Sequence, residues 1–88
     1  MKIVEGFRLR YVMGQATVIG EGVEQVNFSK LITLNSTAAF LWREVESKDF
    51  DIETLRDLLV GEYCIDSDVA MNDARRIAQQ WIEIGLVR

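Results

Sequence analysis

The 88-residue chain has no histidine, no proline and a single cysteine, Cys64. Without histidine, the usual general base, proton shuttle and commonest metal ligand are missing. One thiol with no imidazole builds neither a zinc site nor a Cys–His nucleophile, so zinc and thiol catalysis are excluded. A lone cysteine cannot close an internal disulfide, which agrees with a reducing compartment. The lack of proline removes any Pro-rich linker. Long apolar runs are absent too: Ala38 to Trp42 and Leu58 to Val60 fall far short of the roughly 20 residues a membrane span needs. The opening Met1-Lys2-Ile3-Val4-Glu5 lacks the apolar stretch of a secretory signal, so a cytoplasmic protein is expected.

What is present is ordinary in bulk. Apolar residues make up 49% and charged residues 27% of the chain, which argues against both disorder and a coiled coil. The length suits one domain, residues 1–88, able to bury only about 60–65% of the unfolded surface. With 14 acidic against 10 basic residues the net charge is −4, a balance that repels phosphate backbones unless the cations cluster. The tightest basic pair, Arg75-Arg76, sits between Asp73 and Glu83 and reads as a solvated helix face. Neither nucleic acid nor membrane is an expected partner.

Along the chain, the stretch 31–42, LITLNSTAAFLW, joins two regimes. Before it, Phe7, Leu9, Tyr11 and Met13 alternate with Arg8, Arg10 and Val12, the period of two of a half-buried strand. Gly14-Gln15 reads as a tight turn into a second strand at Ala16 to Ile19, giving a hairpin over 7–20. Val23 to Lys30 alternates weakly and is expected to be extended. A third strand is predicted at Leu31 to Leu34. Asn35-Ser36 then supplies helix-capping side chains.

Everything beyond that junction has helical spacing. Helix 1 should run from Asn35 or Ser36 to about Ser47, with Ala38, Leu41, Trp42 and Val45 inside and Phe40 left to pack on the sheet. Asp51 caps helix 2, which carries Ile52, Leu55, Leu58 and Leu59 on one side and closes near Tyr63. Asp66 or Ser67 caps helix 3, from about Asp68 to Ile84, and Gly85 stops it. Leu86 and Val87 should pack back as an apolar tail. The order β-β-β-α-α-α predicts an α+β fold of winged-helix type, a small three-stranded antiparallel sheet followed by a three-helix unit.

The remaining motifs carry little chemistry. Asp66, Asp68 and Asp73 are where helix starts and solvated faces want acids. Gly20-Glu21-Gly22 has none of the context of a phosphate loop. Cys64, between Tyr63 and Ile65, reads as a small packed hydrophobe. No catalytic residue, metal or cofactor is expected.

Helix 3 is more apolar than one core-facing side requires. Ala70, Ala74, Ile77, Trp81 and Ile84 form one stripe, suited to the interior. A second, offset stripe is Met71, Arg75, Ala78 and Ile82. It fits either a wide core face or a groove beside the third strand, lined by Met71, Ala78 and Ile82 and edged by Arg75. A three-stranded sheet leaves strand edges unpaired, and a peptide can add to such an edge as a further strand.

Taken in order, LNSTAAFLW from Leu34, LRDLL from Leu55, EYCID from Glu62, Asp73 within the last helix and GLV from Gly85 give a chain that resembles the PqqD-like family over residues 7–88. The family is named for pyrroloquinoline quinone synthesis protein D, and its members are also described as RiPP recognition elements. The resemblance implies a winged-helix-like fold of three strands and three helices. It also implies a non-catalytic adaptor that binds the leader segment of a ribosomally made precursor peptide and presents it to a modifying enzyme, often of radical S-adenosylmethionine type. The leader would pair with the third strand and lie against the third helix. Carried over, that puts Leu31, Ile32, Thr33 and Leu34 on the pairing strand and Met71, Arg75, Ala78 and Ile82 on the groove wall. Val23 to Lys30 is longer than the family's compact connection there, which marks a divergent member, and pyrroloquinoline quinone synthesis does not follow. Two other readings use the same surfaces: a structural subunit of a larger complex, and a winged-helix nucleic-acid binder.

Overall fold

Alternating side chains make the first strand, and a turn of two residues sends it straight back. A computed structural model describes residues 1–20 and 32–88. In it β1 (Phe7–Val12) pairs antiparallel with β2 (Gln15–Gly20), in a register running from Phe7↔Gly20 to Val12↔Gln15. The turn is Met13-Gly14, with φ of 53° and 80°. Two left-handed central residues give the mirror-image turn that matches strand twist. The turn thus falls one residue earlier than the expected Gly14-Gln15, because Gln15 already pairs with Val12.

The third strand, β3 (Ile32–Thr33), lies antiparallel to β2 with Thr17↔Thr33 and Val18↔Ile32, so the order is β1-β2-β3. Ile32 and Thr33 fall within the expected Leu31 to Leu34. Leu31, like the stretch Val23 to Lys30, lies outside the described residues. Leu34 follows the strand but still donates its N–H to the Ala16 carbonyl at 2.9 Å. β2 is the central strand, and its Ala16, Thr17 and Val18 are buried.

The next residue starts the helices. Asn35 keeps an extended backbone, and its side-chain oxygen accepts from the Ala38 N–H at 2.8 Å, capping α1 (Ser36–Val45). Ala38, Leu41, Trp42 and Val45 are buried as their spacing requires, joined by Ala39. The Phe40 ring meets Tyr63 of the second helix edge-on at 5.9 Å. That helix, α2 (Ile52–Tyr63), opens with a capping box: Asp51 accepts from the Thr54 N–H at 2.8 Å while the Asp51 N–H reaches the Thr54 hydroxyl. The hydrogen bonds from the Thr54 hydroxyl and backbone hold the Asp51 carboxyl below its ordinary value.

Cys64 ends α2 in the left-handed conformation, φ 52°, and is exposed rather than packed. The left-handed exit from the helix carries its thiol outward. α3 (Ser67–Ile84) is capped by Asp66 and stopped by Gly85, whose φ of 93° suits glycine. Leu86 and Val87 are buried. A feature the sequence did not announce holds them: Ile3 bridges Val87, the Val4 N–H donates to Leu86 at 2.8 Å, and Lys2 and Arg88 exchange hydrogen bonds of 2.8 and 2.9 Å. Among the described residues, no helix is long and apolar enough to cross a membrane.

Three rings hold the core. Trp81 meets Trp42 edge-on at 5.5 Å and Phe50 at 6.3 Å, and Leu41, Leu55, Leu59, Leu86 and Val18 close around them. Replacing Trp81 by Ala should therefore cost about 3–5 kcal/mol, read as a lower urea midpoint at unchanged slope. A near-neutral result would show that the ring does not anchor α3.

Candidate functional site

In an antiparallel ladder, successive residues turn their backbone groups alternately toward the neighbouring strand and away from it. The Leu34 N–H bonds Ala16, and Ile32 stands opposite Val18, so both point their backbone toward β2. Thr33, between them, turns its N–H and C=O the other way. Since β3 ends the sheet order, those groups face an edge that no further strand covers among the described residues.

Beside that edge runs an open groove of about 580 Å³, formed with the C-terminal half of α3. One wall is Ile32, Thr33, Leu34, Asn35 and Ala38. The other consists of two parallel rows of α3, each at i, i+4, i+7. The inner row is Ile77, Trp81 and Ile84; the outer row is Arg76, Gln80 and Glu83. Leu34, Ala38, Ile77 and Trp81 are buried, which makes the floor apolar, while Ile84 is 49% exposed. On the rim, Arg76 pairs with Asp73 at 3.2 Å and Gln79 donates to Glu83 at 3.1 Å. A backbone donor and acceptor above an apolar floor suit an extended chain, whose every second side chain can turn inward.

The structure divides the residues expected here. Ile32, Thr33 and Leu34 line the groove, and Leu31 is outside the described residues. None of Met71, Arg75, Ala78 and Ile82 lines it. Met71 and Arg75 border a separate hollow with Arg56, Ser67, Asp68 and Asn72. Ala78 is 1% exposed, in the core, and Ile82 is exposed. At 3.6 residues per turn the offset stripe lies on nearly the opposite side of α3 from Arg76 and Gln80. The cause is the rotation of α3, set by Trp81 and by the close approach to α2 that Ala70, Ala74 and Ala78 allow. Ile84, expected inside, is a groove wall because it lies a turn beyond the packed ring.

Pattern reading therefore missed Ile77, Trp81 and Ile84 as groove residues, although it had them in the first stripe. A usable signal was that stripe's change from alanines to large side chains. Small residues permit helix–helix contact, whereas large ones need a wider space to fill.

Comparison with known proteins agrees with this architecture. The family model described as coenzyme PQQ synthesis protein D (PqqD) matches residues 12–87. No curated protein matches the chain. Among solved structures, TbiB1 in complex with the TbiA(beta) leader peptide superposes with a TM-score of 0.77 over 100% of this chain and 95% of that one, at 16% sequence identity. At that identity the likeness is one of fold.

The edge geometry has a direct readout in the free chain. In amide hydrogen exchange, Leu34 should be protected and Thr33 should exchange much faster. Equal protection of the two would mean that the Thr33 N–H is bonded and the edge closed.

Proposed function

Because the chain belongs to the PqqD family, we propose that it is a non-catalytic adaptor that captures the leader segment of a ribosomally made precursor peptide by strand addition and presents it to a modifying enzyme. The observation that carries this reading is the outward-facing backbone of Thr33 beside the apolar floor of Ile77 and Trp81. The likeness in fold to TbiB1, seen with a leader peptide, supports it. The docking surface is Ile32, Thr33 and Leu34 on one side and Ile77, Trp81 and Ile84 on the other.

Magnitudes indicate how the work is shared. Two strand hydrogen bonds to Thr33 contribute about 1–3 kcal/mol net. Ordering a flexible segment costs about 2–5 kcal/mol. The balance must come from apolar side chains, each contributing about 1.5–3 kcal/mol when fully buried. Hydrogen bonding thus sets register, and two or three anchors on the floor set affinity. Such binding needs no cofactor.

The modifying enzyme on this reading is of the radical S-adenosylmethionine type, and the adaptor works in the cytoplasm, where precursors are made. The whole chain acts as one domain. Pyrroloquinoline quinone synthesis is not inferred. A permanent subunit would use the same surface, but an open groove rimmed by Arg76, Gln80 and Glu83 is more polar than obligate interfaces are. A nucleic-acid role is disfavoured by the pairing of Arg76 with Asp73 on the exposed side of α3.

A proline at an edge position whose N–H faces outward leaves the ladder intact. Thr33→Pro should therefore fold normally yet weaken leader binding about tenfold by removing one hydrogen bond and its register. Calorimetric titration with the precursor's leader tests it, and binding equal to that of the unaltered chain would sink strand addition at Thr33. In the same titration Ile84→Asp should also weaken binding. Ile82→Glu should leave it unchanged, and a loss there would move the site to the far side of α3.

A further inference from the structure

The outer wall of the groove carries opposite charges at its two ends, and we infer that it selects its peptide by charge order. The docked segment carries an acidic and a basic side chain about four residues apart, on one face of the strand, with an apolar residue midway between them. This rests on the strand-addition reading above. Arg76, Gln80 and Glu83 follow one another along the solvent side of α3, and all three line the groove. A rise of 1.5 Å per residue sets the two charged positions roughly 10 Å apart along the helix. Side chains on one face of an extended chain recur every second residue, so charges that bracket an inward apolar residue stand about 13 Å apart, and the long Arg76 and Glu83 side chains take up the difference of about 3 Å.

Each end can receive a partner. The Arg76 side chain is 68% exposed, and its contact with Asp73 is a surface pair, weak enough to be traded for a carboxylate on a docked chain. Glu83 accepts one hydrogen bond from Gln79 through Oε1, which leaves Oε2 to meet a lysine or arginine. Between them the Gln80 amide both donates and accepts, so it imposes no sign. Beneath, Ile77, Trp81 and Ile84 receive the apolar residue. Docked in the same direction, a segment with the reverse order sets like charges against both ends, and that repulsion discriminates where apolar anchors alone cannot. The direction of the docked strand decides which charge comes first in its sequence.

Random dodecapeptides displayed on phage and selected on the purified chain test the idea, with each selected peptide then measured on the Thr33→Pro chain. Peptides lost on that variant are edge-bound. Their consensus should hold one acid and one base about four residues apart around a central apolar position. Arg76→Glu combined with Glu83→Arg should weaken these peptides about tenfold and restore binding to versions with their two charges exchanged. A consensus of apolar residues without the charge pair, or binding indifferent to the swap, overturns charge order and leaves strand addition standing. Peptides that bind Thr33→Pro as well as the unaltered chain, or a library that yields no binder, overturn strand addition and this inference with it.

Discussion

The structure turns on one side chain, Trp81. Its ring is 2% exposed and packs edge-on against Trp42 of α1 and against Phe50 ahead of α2, yet it also lies in the floor of the groove. A bulky ring held between two others cannot rotate without opening a cavity. The ring therefore sets the rotation of α3 about its axis. That rotation decides which rows of α3 look at β3: Ile77, Trp81 and Ile84 inside, Arg76, Gln80 and Glu83 outside. Core and groove are two sides of one packing arrangement.

The opposite wall has an equally local origin. Leu34 closes the ladder to Ala16, and Asn35 caps α1, so strand pairing passes to helix within one residue. This leaves β3 anchored at its C-terminal end, with Thr33 offering its backbone outward. An open edge invites aggregation, and natural sheets blunt it by short strands and charged neighbours. The second is present here, in a rim bearing Arg76 and Glu83. An edge so guarded accepts a matching strand and resists others.

Much of this was legible as pattern. Asn35, Asp51, Asp66 and Gly85 sit where helix boundaries need them, because capping is a local interaction between a side chain and a nearby backbone group. The order β-β-β-α-α-α followed from periodicities of two and of three to four residues. The departures share another cause. Cys64 was exposed as a left-handed cap, and Ile3 bridged Val87. Each depends on a partner remote in sequence or on a backbone exit that side-chain type does not report.

The same division runs through the site. By itself the sequence determined that these residues offer no imidazole and one thiol, that a strand precedes a capped helix, and that α3 carries more apolar surface than one stripe. Composition and local spacing suffice for those. Only the tertiary structure decided that the offset stripe of Met71, Arg75, Ala78 and Ile82 lies away from the groove, and that Ile84 belongs to it. Periodicity tells which residues share a face of a helix, but not which neighbour that face meets. Here the neighbour is chosen by how a tryptophan ring and a run of alanines pack against α1 and α2.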